Sequence, residues 1–297
     1  MPETDSVALL SEAAAALDTL RAKRPLVECL ANSVSSPLMA DGLLAVGASP
    51  AMVADPDEAA ALAAVGNALI VNVGTLNLAE AATMRSAVAS ANSHACPWAL
   101  DPVGVGVLPL RTEFSRELMQ CSPAIIRGNA SEIMVLVGVS GSEAGGRGVD
   151  STARGEDALA AAVRLANLTH AAVLVSGETD YVCHEGADVL AVKNGSAVMT
   201  RIAGTGCLQG AIAAAFLGAL GRERRRLAAL AAALVSGIAG EKAAARASTP
   251  GSFRTAFLDE LFLLDRSSFI SSAIFDFKSQ ISDFKLSFEI SNLKSES

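Results

Sequence analysis

Short apolar segments alternate with helix-like stretches along much of this 297-residue chain. Four of these segments end in polar or glycine-rich sequence: residues 68–73, 98–101, 124–127 and 172–176. Strands that read as unbroken apolar runs are buried on both faces, as they are in a parallel sheet covered by helices. The alternation predicts a single-domain α/β fold with a central, mostly parallel sheet and helices on both faces.

Polar residues stand at the carboxyl ends of the four predicted strands. They are Asn72, Asp101, Arg127 and Ser176, and a glycine-containing turn follows each one. In open α/β sheets the carboxyl ends of parallel strands meet at one edge, and ligands bind there. The candidate functional residues are therefore expected to converge on one rim of the sheet.

Further elements are predicted from local spacing. Apolar residues recur at helical intervals over residues 7–24 and 78–91. The pair Asn194-Gly195 supplies the positive φ angles of a type I′ turn, which predicts a hairpin between strands at 189–192 and 197–200. Beyond Cys207 the pattern is mostly helical.

The composition changes near residue 266, where Ala becomes rare and Ser and Phe become frequent. We therefore predict one domain at residues 1–265 and a C-terminal extension at 266–297. The triplet Asp-Phe-Lys at 276–278 recurs one heptad later at 283–285. A poorly ordered extension and an amphipathic helix that docks on the domain both fit this sequence.

Charge and cysteine content exclude several classes of protein. The net charge of −8 argues against a nucleic-acid surface, which needs a basic patch. The five cysteines form no C-x-x-C pair, so neither a disulfide framework nor a zinc site is supported. No stretch reaches the length of a membrane span without Gly, Ser or a charge, and the N-terminus lacks the apolar core of a signal peptide. We expect a soluble, cytoplasmic protein that binds small molecules, not nucleic acid or membrane.

The segment Gly204-Thr205-Gly206-Cys207 leads directly into an Ala-rich helical run. Such a turn directs several backbone N–H groups and the positive end of a helix at one anion. Cys207 adds a titratable group at the edge of this cradle. The combination suits the transfer of a phosphoryl group to a hydroxyl.

Charged residues on the predicted rim each have two possible roles. Glu132 follows Asn129 by three residues, where it could hold water around Mg²⁺ or complete a helix capping box. Asp101 could help to hold the same cation, or accept N–H groups of the turn that follows it. Arg127 has the shape to bind phosphate oxygens or to pair with a rim carboxylate.

Four stretches carry a known family pattern in order: residues 42–50 with Met52, 100–106, 126–133 and 204–207. Together with residues 250–253 they cover about residues 25–265. In these stretches the chain resembles the hydroxyethylthiazole kinase family, a thiamine-salvage branch of the ribokinase-like superfamily. The resemblance implies a ribokinase-like fold, a homotrimer, and ATP-dependent phosphorylation of the hydroxyl of 4-methyl-5-(2-hydroxyethyl)thiazole.

The resemblance also implies roles for individual residues. It implies that Arg127, Ser176 and Asn129 contact ATP and that Glu132 and Asp101 hold Mg²⁺. It implies that the thiazole is contacted by Asn32, Val34, Met52 and Gly204. The catalytic turn consists of Gly204, Thr205, Gly206 and Cys207.

Cys207 stands where most ribokinase-like kinases have the aspartate that acts as catalytic base, whereas the thiazole kinases carry cysteine. A thiol at a helix N-terminus has a lowered pKa. Cys207 is therefore interpreted as the base that accepts the proton of the substrate hydroxyl. The alternative is a packed cysteine, with the N–H groups of the turn providing most of the rate.

The sequence departs from the family pattern near the substrate residues. Glu28 and Cys29 stand where many members have His-Asn, and Asp41 replaces a common Asn. These departures leave open a kinase for another small alcohol, such as hydroxymethylpyrimidine or a sugar, or a nucleotide-binding regulator with weak catalysis. Cys207 counts against the other alcohol kinases and against a hydrate dehydratase, which shares the anion-binding turn.

Overall fold

The computed structural model describes residues 2–138 and 158–278. Within these residues the strands are β1 (Leu26–Leu30), β2 (Ser49–Met52), β3 (Ala68–Asn72), β4 (Trp98–Asp101), β5 (Ile125–Asn129), β6 (Ala172–Ser176), β7 (Asp180–Cys183), β8 (Val189–Val192) and β9 (Phe275–Lys278). They form one nine-stranded sheet in the order β2-β1-β3-β4-β5-β6-β7-β8-β9. Neighbouring strands from β2 to β6 are parallel, and β7, β8 and β9 extend the sheet with antiparallel pairing.

Helices cover both faces of this sheet. They are α1 (Pro2–Lys23), α2 (Ser36–Val46), α3 (Pro56–Val65), α4 (Leu78–Ser93), α5 (Pro109–Met119), α6 (Ala130–Leu136), α7 (Leu159–Thr169), α8 (Thr205–Leu220), α9 (Arg225–Arg246), α10 (Pro250–Leu263) and α11 (Arg266–Ser272). Helices α3 to α7 share a hydrophobic core with one face of the sheet, and the other helices share a second core with the opposite face. The predicted α/β architecture is confirmed, as are the four predicted strands, β3 to β6.

Strand β3 shows why the central strands are continuously apolar. All five of its residues are buried, and their side chains alternate between the two cores. Ala68 and Ile70 belong to the α8 side, and Leu69 and Val71 belong to the α4 side. A strand covered on both faces has no solvent-facing position for a polar side chain. Polar residues are therefore left for the strand ends.

One described segment, Arg222–Arg246, is long and apolar enough to cross a membrane by length and composition. It contains α9, which packs between α8 and α10. In its most apolar window 83% of the residues are buried inside the protein. The apolar surface of α9 is therefore that of a core helix.

The hairpin predicted after β8 is wrong. Its second strand is instead a short 3-10 helix, Ala197–Arg201, and β8 pairs with β9. Asn194 explains the difference, because its Nδ2 donates to Glu241 Oε2 at 2.8 Å and its Oδ1 accepts the N–H of Ile274 at 2.7 Å. These bonds direct the chain toward α9 and the start of β9 rather than back along β8.

The C-terminal extension is described as far as residue 278. Helix α11 docks on the domain through the fully buried Phe269, and β9 forms one edge of the sheet. The first Asp-Phe-Lys triplet, at 276–278, lies in β9, a strand that the sequence pattern does not predict. The second Asp-Phe-Lys triplet, at 283–285, lies outside the described residues, and the domain boundary at 265 stays a prediction.

Candidate active site

The polar ends of the central strands meet at one rim, as predicted. Asn72 and Asp101 are partners in the register of β3 and β4, and Asn129 and Ser176 are partners in that of β5 and β6. Helix α8 lies over the same edge, since a Cβ added at Gly210 would be 3.5 Å from Asp101 Oδ2. The ends of four strands and one helix therefore bound a single site.

Asp101 is a fully buried carboxyl at the centre of this rim. Its Oδ2 accepts a hydrogen bond from Asn72 Nδ2 at 2.5 Å. Its Oδ1 lies 3.5 Å from Arg127 Nη1, an ion-pair distance, and has no hydrogen-bond partner among the described residues. Burial raises the pKa of Asp101 to about 7, although the nearby Arg127 opposes this shift. One carboxylate oxygen is thus left available at the site.

The guanidinium of Arg127 is held by three elements. Nη1 faces Asp101 of β4, Nη2 donates to Ser176 Oγ of β6 at 2.6 Å, and Nε donates to Gln209 Oε1 of α8 at 3.2 Å. Gly206 makes room for the same group, because a Cβ there would be 2.5 Å from Nη2. The pair with a rim carboxylate, one of the two roles open to Arg127, is present.

Helix α8 begins with a backbone conformation that requires glycine. Gly204 is its N-cap, with φ +91°, and a Cβ at this residue would also be 2.7 Å from Ser35 Cβ. The Thr205 hydroxyl donates to the carbonyl of Met199 at 3.1 Å and so turns away from the helix axis. The N–H groups of the first turn have no partner within the helix. The geometry of the turn is that of the predicted anion cradle.

The prediction of a lowered pKa for the Cys207 thiol is wrong. Burial raises the pKa of the thiol to about 11, and the negative charge of Asp101 adds to the shift. Arg127 acts in the opposite direction but does not outweigh them. Asn32 Nδ2 approaches Sγ at 3.5 Å and is a donor to the sulfur. The sequence predicts that Asp101 and Cys207 share a rim, but it does not reveal that burial outweighs the effect of the helix N-terminus on the thiol pKa.

Glu132 and Asn129 form the capping box that was one of the two predicted roles. Asn129 Oδ1 accepts the N–H of Glu132 at 3.0 Å, and Glu132 Oε2 accepts the N–H of Asn129 at 2.9 Å. Glu132 Oε1 accepts the N–H of Gly104 at 2.9 Å. Burial raises the pKa of Glu132, and these N–H groups partly offset the shift. The carboxyl group is therefore fixed toward the turn after β4.

The donor set suits a cation held through water. Within the described residues, no group of three or more His, Cys, Asp or Glu side chains could enclose a metal ion. Asp101 Oδ1, however, is a buried carboxylate oxygen without a hydrogen-bond partner. Mg²⁺ retains several waters and needs one or two carboxylates. Asp101 and Glu132 fit that requirement.

The predicted thiazole contacts lie at the β1 and β2 end of the rim. Asn32 is buried, and its Oδ1 accepts the N–H groups of Val34 at 3.0 Å and Ser35 at 2.9 Å. Val34 is 65% exposed and Met52 is 42% exposed, so both apolar side chains face solvent. Asn32 joins this open end to the sulfur of Cys207.

Two further residues belong to the polar network: Asn72, which the sequence places on the rim without a specific role, and Gln209, for which the sequence predicts no role. Asn72 Oδ1 accepts from Asn32 Nδ2 at 2.8 Å, while its Nδ2 donates to Asp101. Gln209 lies between Arg127 and Asp180. The position of Asn72 at a strand end was a usable signal. For Gln209 the signal was a lone amide within an apolar, Ala-rich helix.

Glu28, where the sequence departs from the family pattern, is fully buried in β1. Neither of its carboxylate oxygens has a hydrogen-bond partner among the described residues. Burial raises the pKa of Glu28 to about 8. Its neighbours in β1, Val27 and Cys29, belong to the core on the α8 side, and its register partner Leu69 belongs to the core on the α4 side, so the Glu28 side chain points to the α4 side.

This architecture defines a class of protein. An open α/β sheet with a buried acid–arginine pair at its strand ends and a glycine-capped helix N-terminus beside it has the architecture of a protein that binds a small anionic ligand at the sheet edge. The fold agrees with a ribokinase-like superfamily protein from Enterococcus faecalis, with a TM-score of 0.56 at 12% identity. It also agrees with a pyridoxal kinase from Staphylococcus aureus, with a TM-score of 0.56 at 14% identity.

The chain belongs to the hydroxyethylthiazole kinase family, which it matches over residues 17–267. It is 49% identical over 249 residues to a hydroxyethylthiazole kinase of Tolumonas auensis, covering 84% of this chain and 92% of that protein. A hydroxyethylthiazole kinase of Klebsiella pneumoniae is 51% identical over 243 residues, covering 82% and 92%. The structure of the hydroxyethylthiazole kinase protein from Pyrococcus horikoshii has a TM-score of 0.80 at 32% identity, covering 90% of this chain and 99% of that one.

Proposed function

We propose that this protein transfers the γ-phosphoryl group of ATP to the hydroxyl of 4-methyl-5-(2-hydroxyethyl)thiazole, giving the phosphate ester used in thiamine salvage. Family membership supports this acceptor. The observation that carries the chemistry is the glycine-capped N-terminus of α8 beside Arg127 and Asp101. Backbone N–H groups and a buried guanidinium stabilise charge on the oxygens of a transferring phosphoryl group.

Each part of the rim takes one role in this proposal. The first turn of α8 and Arg127 bind the γ-phosphoryl oxygens, and Ser176 and Asn129 contact the rest of ATP. The substrate hydroxyl oxygen attacks the γ-phosphorus, and the bond from that phosphorus to the ADP oxygen breaks. The hydroxyl proton passes to the Cys207 thiolate, whose sulfur Asn32 holds by its amide.

Mg²⁺ is the cation in this proposal. When bound, it neutralises charge on the phosphates of ATP. Asp101, through the Oδ1 that faces Arg127 without a hydrogen bond among the described residues, and Glu132 would hold it through coordinated water. The neighbouring Arg127 keeps the site from accumulating net negative charge before ATP arrives.

The substrate end is proposed to be completed by a second copy of the chain, in a homotrimer of the cytoplasm. Val34 and Met52 are exposed apolar side chains that a neighbouring subunit and the thiazole ring together would cover. Light scattering should give three times the mass of the chain. A monomer that turns over at the full rate would contradict this assembly.

The test of function is an ATP-consumption assay with three acceptors: the thiazole alcohol, hydroxymethylpyrimidine and ribose. We expect turnover with the thiazole alcohol and at least tenfold lower kcat/KM with the others. Turnover with another alcohol but not with the thiazole would overturn the proposed substrate. ATP binding without turnover of any acceptor would instead indicate a nucleotide-binding regulator.

A further inference from the structure

Gln209 uses both ends of its side-chain amide inside the protein. It is buried in α8, two residues after Cys207. Its Oε1 accepts a hydrogen bond from Arg127 Nε at 3.2 Å, and its Nε2 donates to Asp180 Oδ2 at 2.6 Å. The amide therefore links the first turns of α8 to the start of β7.

The direction of these bonds is fixed by the partners. A guanidinium can only donate hydrogen bonds, and an ionised carboxylate can only accept them. Asp180 is buried, and its second oxygen already accepts the N–H of Gly177 at 3.0 Å. If the Gln209 amide flipped, its NH₂ would face the N–H of Arg127 Nε, and its oxygen would face the Asp180 carboxylate. One orientation of the amide is thus enforced.

We propose that Gln209 and Asp180 are positioning residues, which fix the rotation of the Arg127 guanidinium for phosphoryl transfer. This inference rests on the proposed function, in which Arg127 binds the γ-phosphoryl oxygens. Arg127 is the residue that contacts the substrate, and the pair acts through it. Through Gly177 the pair also joins Arg127 to the turn that directly follows Ser176, the last residue of β6.

A purely space-filling role does not account for this arrangement. An apolar side chain at position 209 would leave Arg127 Nε and Asp180 Oδ2 without these partners in a buried region. The other two guanidinium nitrogens face Asp101 and Ser176. With all three nitrogens engaged, the plane of the guanidinium is defined before a phosphate arrives.

The two residues can exchange their donor and acceptor roles, which provides a sharp test. Gln209→Glu alone places a second carboxylate against Asp180. Asp180→Asn alone leaves one donor facing another, at Gln209 Nε2 or at the Gly177 N–H. The double variant restores every bond: the carboxylate at 209 accepts from Arg127 and from the amide at 180, whose oxygen accepts from Gly177. The number of carboxylates is the same as in the wild type.

We expect each single variant to lose 10- to 100-fold in kcat/KM for ATP, as for other residues that orient a reacting group. The double variant should recover at least tenfold over the poorer single variant. If the two losses simply multiply in the double variant, or if either single variant retains full activity while folded, the proposal is overturned. All rates are measured at a temperature where thermal unfolding shows every variant to be native.

A second readout separates this inference from the substrate assignment. The affinity for a non-hydrolysable ATP analogue, measured by calorimetry, should fall in both single variants and recover in the double variant. This result does not depend on which alcohol is the acceptor. Ser115→Ala, a change at a buried hydroxyl with no hydrogen-bond partner among the described residues, is the matched control and should alter neither quantity.

Discussion

The two ends of the rim differ in how far their side chains are buried and held by other elements of the protein. At the end formed by β4, β5, β6 and α8, Asp101 and Arg127 are buried and joined to side chains of other elements. At the end formed by β1 and β2, Val34 and Met52 are largely open to solvent. A preorganised charged region stands beside an incomplete apolar one.

This difference matches the role proposed for each end. Phosphoryl transfer depends on groups held in place before the reaction, since their reorganisation would add to the barrier. A small apolar ring gains its affinity from surface covered on binding, so its walls need not be closed beforehand. We call the end with Asp101 and Arg127 the phosphate end and the end with Val34 and Met52 the open end. Changes at the phosphate end should therefore affect turnover, and changes at the open end should affect the acceptor's KM.

The largest expected effect is at Cys207. Cys207→Ala should lower kcat by at least about 100-fold with little change in ATP affinity, because a positioned base contributes on this scale. Only the thiolate accepts a proton, and the thiol pKa is raised to about 11. The wild-type rate should therefore rise about tenfold per pH unit up to that value, whereas the variant should lack this rise. Steady-state kinetics from pH 7 to 10 provide the measurement.

The alternative for Cys207 makes a different prediction. If the thiol only packs in the site and the N–H groups of the turn provide the rate, Cys207→Ala stays near the wild-type kcat. The pH profile of the wild type is then flat between 7 and 10. Either result removes the base assignment but leaves the anion cradle in place.

A smaller loss, about 100-fold in kcat/KM for ATP, is expected for Gly206→Ala. The added Cβ would be 2.5 Å from Arg127 Nη2 and would push the guanidinium out of position. Gly210→Ala in the same helix is the matched control, because its Cβ would be 3.5 Å from Asp101 Oδ2, an ordinary contact. Equal kinetics in the two variants would show that the phosphate end is not preorganised around Arg127.

Sequence patterns predicted the part of the fold that periodicity governs. The strands β3 to β6 and the convergence of their ends follow from buried apolar runs with polar termini. The segment after β8 was predicted wrongly because the Asn194 side chain bonds to residues distant in sequence, including Ile274. A local turn preference cannot anticipate such a contact.

The site was predictable where the residue type itself carries the chemistry. Asp101, Arg127, Glu132 and the Gly204 turn could be identified from strand ends and glycine spacing. The pKa of Cys207 could not, because it depends first on the burial of the thiol and then on the negative charge of Asp101, more than a hundred positions away in the chain. Gln209 was missed for a similar reason, since its partners lie on β5 and β7.

At the open end a moderate effect is expected. Met52→Ala should raise the KM for the thiazole alcohol about tenfold, or about 1.4 kcal/mol, by removing part of an apolar wall. The KM for ATP should not change. The control is Leu168→Ala, which removes an exposed apolar side chain of α7, a helix in the α3 to α7 layer of the protein. An altered KM for ATP in Met52→Ala would mean that the two ends are not independent.

The smallest effect on turnover is expected at Glu28, the buried carboxyl of β1 whose oxygens have no hydrogen-bond partner among the described residues. Its pKa in the folded protein is about 8, above its ordinary value of 4.5. The folded state thus holds the proton more tightly than the unfolded state, so stability should fall as pH rises from about 4.5 to about 8 and then level off. The expected loss is on the order of 4 kcal/mol across this interval.

Glu28→Gln should remove this pH-dependent loss, since an amide does not titrate, although its buried amide lowers stability at pH 5. Denaturant unfolding at pH 5, 7 and 9 measures how the free energy of unfolding changes with pH. The control is Glu58→Gln, at an exposed position of α3, which should show the same pH dependence as the wild type. A Glu28 carboxyl whose pKa in the folded protein lay at or below 4.5 would give no slope between pH 5 and pH 9. Equal slopes in the wild type and Glu28→Gln would therefore mean that burial does not raise the pKa of Glu28.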